Sequence, residues 1–235
     1  MPNSPSPLTA VGIIVARSDS SRLPRKAFLD IAGRPLIQLV YERVARSHEL
    51  NGIAIATSDR PCDDELAGVG LTLGARVFRG DVQDVADRIA RCALSVGASH
   101  FVRINGDSPF VDPELIDQGI QIAAATGADL VTNLQPRTYP YGVAVEIVKL
   151  DTFLKVQPLM SDANREHVTQ YFYQNPEQFC IRSLPPACRG GLGTLRLTID
   201  EPDDVGIIRA LASQLGQRLL LAGYDEVARQ AQDGQ

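Results

Sequence analysis

The sequence contains no tryptophan and only four cysteines among its 235 residues. The cysteines form no Cys-x-x-Cys pair, which argues against a structural zinc site, and reduced thiols are the expected state. No apolar run approaches the roughly 18 residues that a membrane-spanning helix needs, so we expect a cytoplasmic protein with no membrane partner. The first ten residues lack the basic and apolar regions of a secretion signal. We therefore expect a disordered tail at 1–10 and a single domain at 11–235.

Basic residues are in deficit over the chain as a whole. Twenty-three lysines and arginines face 28 aspartates and glutamates, which gives a net charge of −5. Nucleic-acid-binding domains are normally basic, so no nucleic-acid partner is expected. The segment 17–26 is the exception, because it carries four cations and one acid. A small basic focus on an acidic protein favours a small anionic ligand.

Apolar β-branched runs alternate with segments of helical spacing along the chain. The run VGIIVA at 11–16 is typical of a buried parallel strand. Strands are predicted at 11–16, 52–57, 76–78, 99–104, 129–132, 142–148 and 194–199. Helices are predicted at 35–46, 81–96, 113–125, 162–174 and 203–215. The alternation predicts an α/β fold, in which helices flank a Rossmann-like, mostly parallel sheet. Only 142–148 alternates as an antiparallel or edge strand does.

Polar residues follow three of the predicted strands, where ligands bind in sheets of this kind. The basic segment 17–26 follows the first strand, and its hydroxyls, cations and backbone N–H groups suit a phosphate chain. It has neither the spacing of a Walker A loop nor that of a dinucleotide fingerprint. Asp107 follows the strand at 99–104, where a carboxylate can reach a hard cation such as Mg²⁺, and Asp200 follows the strand at 194–199. Taken singly, these segments also fit a solvated loop, a turn and a helix N-cap.

Three motifs in these segments resemble those of the sugar cytidylyltransferases, which make CMP-activated acidic sugars. ARSDSSRLPRK at 16–26 resembles the family's phosphate loop, A-R-x-x-S-x-R-L-P-x-K, although Arg25 stands where the nearest branch has glycine. GDSP at 106–109 resembles its G-D-x-P motif, and LTIDEPDD at 197–204 resembles L-T-V-D-x-P-E-D. The spore-coat polysaccharide biosynthesis branch is the most similar, and the resemblance spans about 11–210.

The resemblance implies roles for individual residues on the nucleotide side. Arg17 and Lys26 are expected to hold the phosphates of CTP, and Asp107 and Asp200 to bind Mg²⁺; these four are the expected catalytic residues. Arg88 matches a nucleotide-side D-R pair, although Asp84 and Arg88 also fit an ordinary i,i+4 helix pair. The remaining nucleotide-binding candidates belong to the phosphate loop and are Ala16, Ser20, Ser21 and Arg22.

The acceptor side rests on two further motifs. Residues 165–169 resemble the branch's R-E-H-V-T motif at the start of a helix, which implies that Arg165 and His167 bind the acceptor. The alternative is an apolar core stripe with Arg165 in solvent. Residues 140–146 resemble P-x-G-L-D-V-E, with Ala144 in place of the aspartate, and this match implies acceptor roles for Tyr141 and Glu146. The same region is expected to form a small antiparallel dimer arm, so the resemblance implies a homodimer.

The function that these expectations favour is transfer of CMP from CTP to a small acidic sugar, with Mg²⁺ as cofactor and pyrophosphate as co-product. Such an enzyme would serve surface polysaccharide or glycan biosynthesis. Three alternatives stay open from the sequence. One is a nucleotidyltransferase that uses another nucleotide, or a sugar-1-phosphate or phosphonate acceptor. Another is a glycosyltransferase, although a D-x-D motif does not appear at 106–109. The last is a non-catalytic protein that kept the fold.

Overall fold

A seven-stranded sheet forms the centre of the computed structural model, which describes residues 8–20 and 22–233. The strands are β1 (Ala10–Val15), β2 (Asp30–Ile31), β3 (Arg34–Pro35), β4 (Gly52–Ser58), β5 (Arg76–Gly80), β6 (His100–Asn105), β7 (Leu130–Thr132), β8 (Glu146–Lys149) and β9 (Ile181–Ser183). The helices are α1 (Leu36–Val44), α2 (Asp64–Thr72), α3 (Val85–Ser95), α4 (Pro113–Thr126), α5 (Leu150–Val156), α6 (Asp162–His167), α7 (Gln170–Gln174), α8 (Pro202–Leu215) and α9 (Tyr224–Asp233).

The sheet has the order β5-β4-β1-β6-β8-β7-β9. Strands β5, β4, β1 and β6 are parallel, and β8 is antiparallel to both of its neighbours. This arrangement confirms the predicted mostly parallel α/β sheet. A small antiparallel pair, β2 and β3, lies outside it. Because β1 and β6 run side by side, with Val15 opposite Asn105, the loops that follow them leave the same edge of the sheet.

Two apolar layers cover the two faces of the sheet, because successive residues of each strand point to opposite sides. On β1, Ile14 packs in the layer that contains α1, α4, α8 and α9. Ile13 packs in the other layer, which contains α3, α5 and α7. The second layer matters most for the site, because Val15 and Arg103 share its face, α7 belongs to it and α6 packs against α3.

The segment 194–199 is not a strand of the sheet, contrary to the prediction. Its one bridge joins Arg196 to Tyr141. The backbone N–H of Ile199 donates to the Asp107 carbonyl, and that of Leu197 donates to the Tyr141 carbonyl. Buried Leu197 and Ile199 produce the strand-like alternation, but the partners of this segment are two loops.

The structure also contains elements that the sequence did not predict, including α2, α5, α9 and β9, and further differences concern element boundaries. In the predicted strand 142–148, pairing begins only at Glu146. The predicted helix 162–174 is two helices, because Val168 has a left-handed φ of 39° between them. Ala10 already belongs to β1, one residue inside the expected tail, and residues 1–7 lie outside the described part. Among the described residues, no helix combines the length and apolarity needed to cross a membrane.

A buried arginine ties the C-terminal segment to this framework. Arg43 of α1 has no exposed surface and donates to the carbonyls of Val111, Leu219 and Ala222. Burial lowers its pKa to about 10. The guanidinium thus joins α1, the loop before α4 and the turn before α9. Arginine suits this position because its planar guanidinium carries five N–H donors.

Candidate functional site

A cavity of about 430 Å³ opens where β1 and β6 end. It collects residues from the loop after β1, the loop after β6, α3, the end of α6 and the segment before α8. The predicted site residues that line it are Ala16, Arg17, Ser20, Arg22, Lys26, Arg88, Asp107, His167 and Asp200. Ser21 lies outside the described residues. The structure therefore brings most of the candidate site to one place, although their separations in sequence reach well over 100 residues.

The loop at 16–26 is held from beneath by a buried carboxylate. Asp63 accepts a 2.6 Å hydrogen bond from the backbone N–H of Ser18 and another from the hydroxyl of Ser58. Burial raises the pKa of Asp63, but these hydrogen bonds outweigh burial and leave the pKa below its ordinary value. Arg25, with a left-handed φ of 58°, closes the loop by donating from its backbone to Ser18. The loop is thus shaped before any ligand binds.

Lys26 joins the two predicted metal-binding carboxylates. Its Nζ lies 2.8 Å from Asp107 Oδ2 and 3.9 Å from Asp200 Oδ1. The side chains are only 16% exposed for Lys26 and 24% for each aspartate, so water screens this cluster weakly. Asp200 has a second cation partner, because its Oδ2 accepts a 2.9 Å bond from Arg196 Nη2.

Close backbone approaches place the two aspartates. A Cβ on Gly106 would meet the Cβ of Ala16 at 2.8 Å, so glycine is needed for the loop after β6 to lie against the loop after β1. The Ile199 N–H donates to the Asp107 carbonyl over 3.0 Å and carries the next residue, Asp200, to the site. Asp204 then accepts from the backbone N–H of Asp200 at the start of α8. The two carboxylates meet because loops, and not two strands, bond to each other.

The two carboxylates fit Mg²⁺ in the chemistry of their donors. Carboxylate oxygens are ligands that Mg²⁺ prefers, and Mg²⁺ is usually held by one or two carboxylates together with substrate phosphates and water. Within the described residues there is no group of three or more His, Cys, Asp or Glu side chains arranged to hold a metal. Asp107 and Asp200 thus offer an open two-carboxylate site beside basic side chains, and the assignment of Mg²⁺ stays a prediction.

Arg88 projects from α3 into the base of the cavity. It is 1% exposed, and its Nη1 donates to the Asp81 carbonyl over 2.8 Å. Its Nε is buried without a hydrogen-bond partner among the described residues. Burial, with the nearby charge of Arg17, lowers the pKa of Arg88. The predicted i,i+4 partner, Asp84, instead caps α3 and pairs with Arg165.

The break at Val168 decides which residues of the R-E-H-V-T segment reach the cavity. Glu166 and His167 line it, whereas Arg165 pairs with Asp84 and lines a neighbouring cavity of about 680 Å³. Because α6 begins at Asp162, Arg165 lies in its last turn and not at a helix N-terminus as the sequence suggested.

The other two acceptor candidates lie outside the cavity lining. The guanidinium groups of Arg137 and Arg196 lie 4.2 Å and 5.6 Å from the centre of the Tyr141 ring. Glu146 is 1% exposed and pairs with Arg103 over 2.8 Å. Neither acceptor role is tested by these positions, but Glu146 has its carboxylate fully engaged inside the protein.

Sequence reasoning missed Arg103, which lines the cavity from the middle of β6. The available signal in the sequence was an arginine between the apolar residues Val102 and Ile104 of a predicted strand. It also missed Glu166 and Asn105, which line the same cavity. Glu166 belongs to the R-E-H-V-T segment at 165–169, but only the helix break at Val168 shows which residues of that segment line the cavity.

Comparisons with known proteins find relatives that are similar over most of this chain. A sequence profile described as cytidylyltransferase matches residues 11–201. The spore coat polysaccharide biosynthesis protein SpsF of Bacillus subtilis is 34% identical over 212 residues, covering 88% of this chain and 87% of that protein. A 3-deoxy-manno-octulosonate cytidylyltransferase of Geobacter sulfurreducens is 33% identical over 174 residues, covering 73% and 64%. A solved cytidylyltransferase structure from Leptospira borgpetersenii has a TM-score of 0.90 at 24% identity and covers 97% of this chain and 95% of that chain. The profile match includes the loop at 16–26, Asp107 and Asp200.

Proposed function

The chain belongs to the cytidylyltransferase family of nucleotidyltransferase enzymes, and on that premise we propose that it transfers CMP from CTP to an acidic sugar. The acceptor hydroxyl oxygen forms a bond to the α-phosphorus of CTP. The bond from that phosphorus to the bridging oxygen breaks, and pyrophosphate leaves with the electron pair. The hydroxyl proton passes to a carboxylate oxygen of Asp107 or Asp200, both of which line the cavity. The products are a CMP-sugar and pyrophosphate.

The single observation that carries the proposal is the contact of Lys26 with both Asp107 and Asp200 at the end of a basic loop. Phosphoryl-type transfer demands positioning and charge neutralisation more than covalent work by side chains. A cluster that holds two carboxylates and several cations in one cavity is suited to bind a triphosphate together with a divalent cation.

Each group in the cluster has a distinct task in this reaction. Arg17 and Lys26 bind the β- and γ-phosphates, and Arg22 and Ser20 stand beside them on the loop. Backbone N–H groups of the same loop add donors that carry no net charge. Asp107 and Asp200 would hold Mg²⁺, which would supply neutralisation of phosphate charge. Arg88 lines the cavity and adds a positive charge on the nucleotide side.

The names of two relatives support the proposed acceptor class. One relative is named a 3-deoxy-manno-octulosonate cytidylyltransferase, so its acceptor is a sugar acid. Another is named for spore coat polysaccharide biosynthesis. We extend these names to an acidic sugar acceptor and a role in surface polysaccharide or glycan synthesis in the cytoplasm. A homodimer is part of the same proposal.

A thermal-shift panel tests the nucleotide. The protein is heated with CTP, UTP, GTP, ATP or dTTP, each with and without Mg²⁺. A ligand at 100 times its Kd stabilises the folded state by about 2.7 kcal/mol, which is roughly 5–10 °C for a domain of this size. We expect this shift with CTP and a larger one when Mg²⁺ is added. A shift with another nucleotide and none with CTP would refute the assignment.

Pyrophosphate release tests the reaction and the site together. CTP and Mg²⁺ are incubated with a set of acidic sugars that includes 3-deoxy-manno-octulosonate. We expect Asp200→Asn to lower turnover by about 100-fold or more, as the loss of a preorganised charge does. Asp203→Asn is the matched control, because Asp203 is an exposed acid three residues away that does not line the cavity. Equal turnover in the two variants would contradict the role of Asp200.

A further inference from the structure

Arg103 is a cation of the cavity that none of the recognised motifs includes. It stands on β6, two residues before Asn105 and on the same face of the sheet. Its side chain is 20% exposed, whereas its partner Glu146 is 1% exposed. The guanidinium therefore lies at the boundary between the cavity and the protein interior.

Three strands hold this guanidinium by a row of side chains in register. Arg103 on β6 lies opposite Glu146 on β8, and Glu146 lies opposite Thr132 on β7. Arg103 Nη1 donates to Glu146 Oε2 over 2.8 Å. The Tyr173 hydroxyl of α7 donates to Glu146 Oε1 over 2.6 Å and lies 2.8 Å from the Thr132 hydroxyl. Glu146 thus has both oxygens occupied, and it fixes one end of Arg103.

The rest of the guanidinium has no hydrogen-bond partner within residues 8–20 and 22–233. Its bond to Glu146 occupies one N–H of five, and its Nε is buried with no hydrogen-bond partner among the described residues. The side chain is 20% exposed and lines the cavity, so the terminal N–H groups that Glu146 does not use are available to an anion there. Arginine suits a carboxylate in particular, because its planar fork matches two carboxylate oxygens.

The position of Arg103 separates it from the groups assigned to the nucleotide. Arg17 follows β1, and Arg88 belongs to α3, which packs against β1, β4 and β5. Arg103 belongs to β6, which lies between β1 and β8 in the sheet, and it lines the same cavity as Glu166 and His167 of α6. The alternative cation, Arg165, is paired with Asp84 beside a different cavity.

We propose that Arg103 binds the carboxylate of the acceptor sugar and that Glu146 and Tyr173 position its guanidinium. This inference rests on the proposed cytidylyltransferase reaction and deepens it. Glu146, which the sequence suggested as an acceptor ligand, acts through Arg103 and does not touch the acceptor. The role of the cation is to orient the sugar so that its hydroxyl faces the α-phosphorus, which raises the rate by positioning.

The test compares two acceptors in two enzymes. The acceptors are 3-deoxy-manno-octulosonate and its carboxamide, which keeps the size and loses the charge. The enzymes are the wild type and Arg103→Lys, which retains a cation for Glu146 and loses the fork. We expect kcat/KM for the acid to fall by about 10- to 100-fold in Arg103→Lys, as the loss of a charge-assisted hydrogen bond predicts. The preference for acid over carboxamide should fall with it, while the KM for CTP stays the same.

Two further variants guard against a merely structural effect. Arg103→Met with Glu146→Gln removes both charges, so that no unpaired charge is left in the interior. It should fold and show almost no preference between the two acceptors. Tyr173→Phe removes only the hydroxyl behind Glu146, and we expect it to raise the KM for the acid about 3- to 10-fold without raising the KM for CTP. Arg91→Gln, an exposed charge on α3, is the matched control and should match the wild type.

The outcomes are distinguishable. An unchanged preference for the acid in Arg103→Lys and in the double variant overturns the assignment of Arg103 and leaves the proposed reaction intact. An increase in the KM for CTP alone also overturns it, because the guanidinium then serves the nucleotide. The third outcome is a wild-type enzyme that binds CTP with Mg²⁺ but releases pyrophosphate in the presence of none of the acidic sugars. It overturns the acceptor class, and the role of Arg103 with it.

Discussion

Removing Lys26 should change two affinities in opposite directions. Lys26→Met takes away the ammonium that we propose binds the CTP phosphates, so CTP should bind more weakly. The same change releases Asp107 and Asp200 from the cation that lies 2.8 Å and 3.9 Å from them in the ligand-free protein. A divalent cation then no longer has to compete with this ammonium, so the nucleotide-free protein should bind the metal more tightly.

The contact geometry sets the size of this effect. Two unit charges 4 Å apart attract by about 4 kcal/mol at an effective dielectric constant of about 20, before desolvation is subtracted. A net value of about 1.5–3 kcal/mol is typical of a hydrogen bond to a charged group, and the low exposure of the Lys26 cluster supports the use of that range here. Each 1.4 kcal/mol is tenfold in affinity, so we expect metal to bind about 10- to 100-fold more tightly to Lys26→Met.

The assay is a titration with Mn²⁺ followed by electron paramagnetic resonance, with CTP absent and then present. Mn²⁺ is the probe because it accepts the same oxygen ligands as Mg²⁺. Lys155→Met, which removes an exposed lysine on α5, is the matched control and should bind Mn²⁺ as the wild type does. Equal or weaker Mn²⁺ binding by Lys26→Met without CTP would refute the view that the two aspartates form the metal site.

Two predictions concern the framework. Arg43→Met leaves the carbonyls of Leu219 and Ala222 without their donor, so we expect the free energy of unfolding to fall by about 3–5 kcal/mol in urea titrations, with exposed Arg46→Met as control. For Asp63→Asn, the folded-state pKa of the native carboxyl lies below 3.8, so its stabilisation is present above that pH and is lost as pH falls through the folded value. The stability difference from wild type should therefore be largest near neutral pH and shrink below about pH 4; a difference independent of pH would contradict this.

The parallel half of the sheet was predictable because its signals are local. The run at 11–16 is apolar on both faces, as a strand covered by helices must be, and the structure places it at the centre as β1. The loop after it stands out by charge alone. Asp107 was predictable for the same reason, because turn residues mark the end of β6.

Features that depend on contacts distant in sequence were not predictable. Alternation at 194–199 is the same in a strand and in an extended segment bonded to loops, and only the partners, Tyr141 and Asp107, distinguish the two. The pairing of Arg103 with Glu146 depends on the register of an antiparallel strand 43 residues later, which no local pattern fixes. The helix break at Val168 contradicts the preference of a β-branched residue, so propensity predicts a continuous helix there.

That break has a consequence for how the enzyme can change over evolutionary time. A left-handed backbone costs a non-glycine residue about 1–3 kcal/mol, while full burial of a valine side chain contributes a similar amount, and Val168 is completely buried. The two energies are of similar size, so burial of the Val168 side chain offsets the backbone strain between α6 and α7. A single substitution at position 168, or at a neighbour that packs on it, can therefore redirect Glu166 and His167 while β1, β6 and their loops stay in place. Natural variation in which acceptors are accepted should accumulate around this position and spare the phosphate loop.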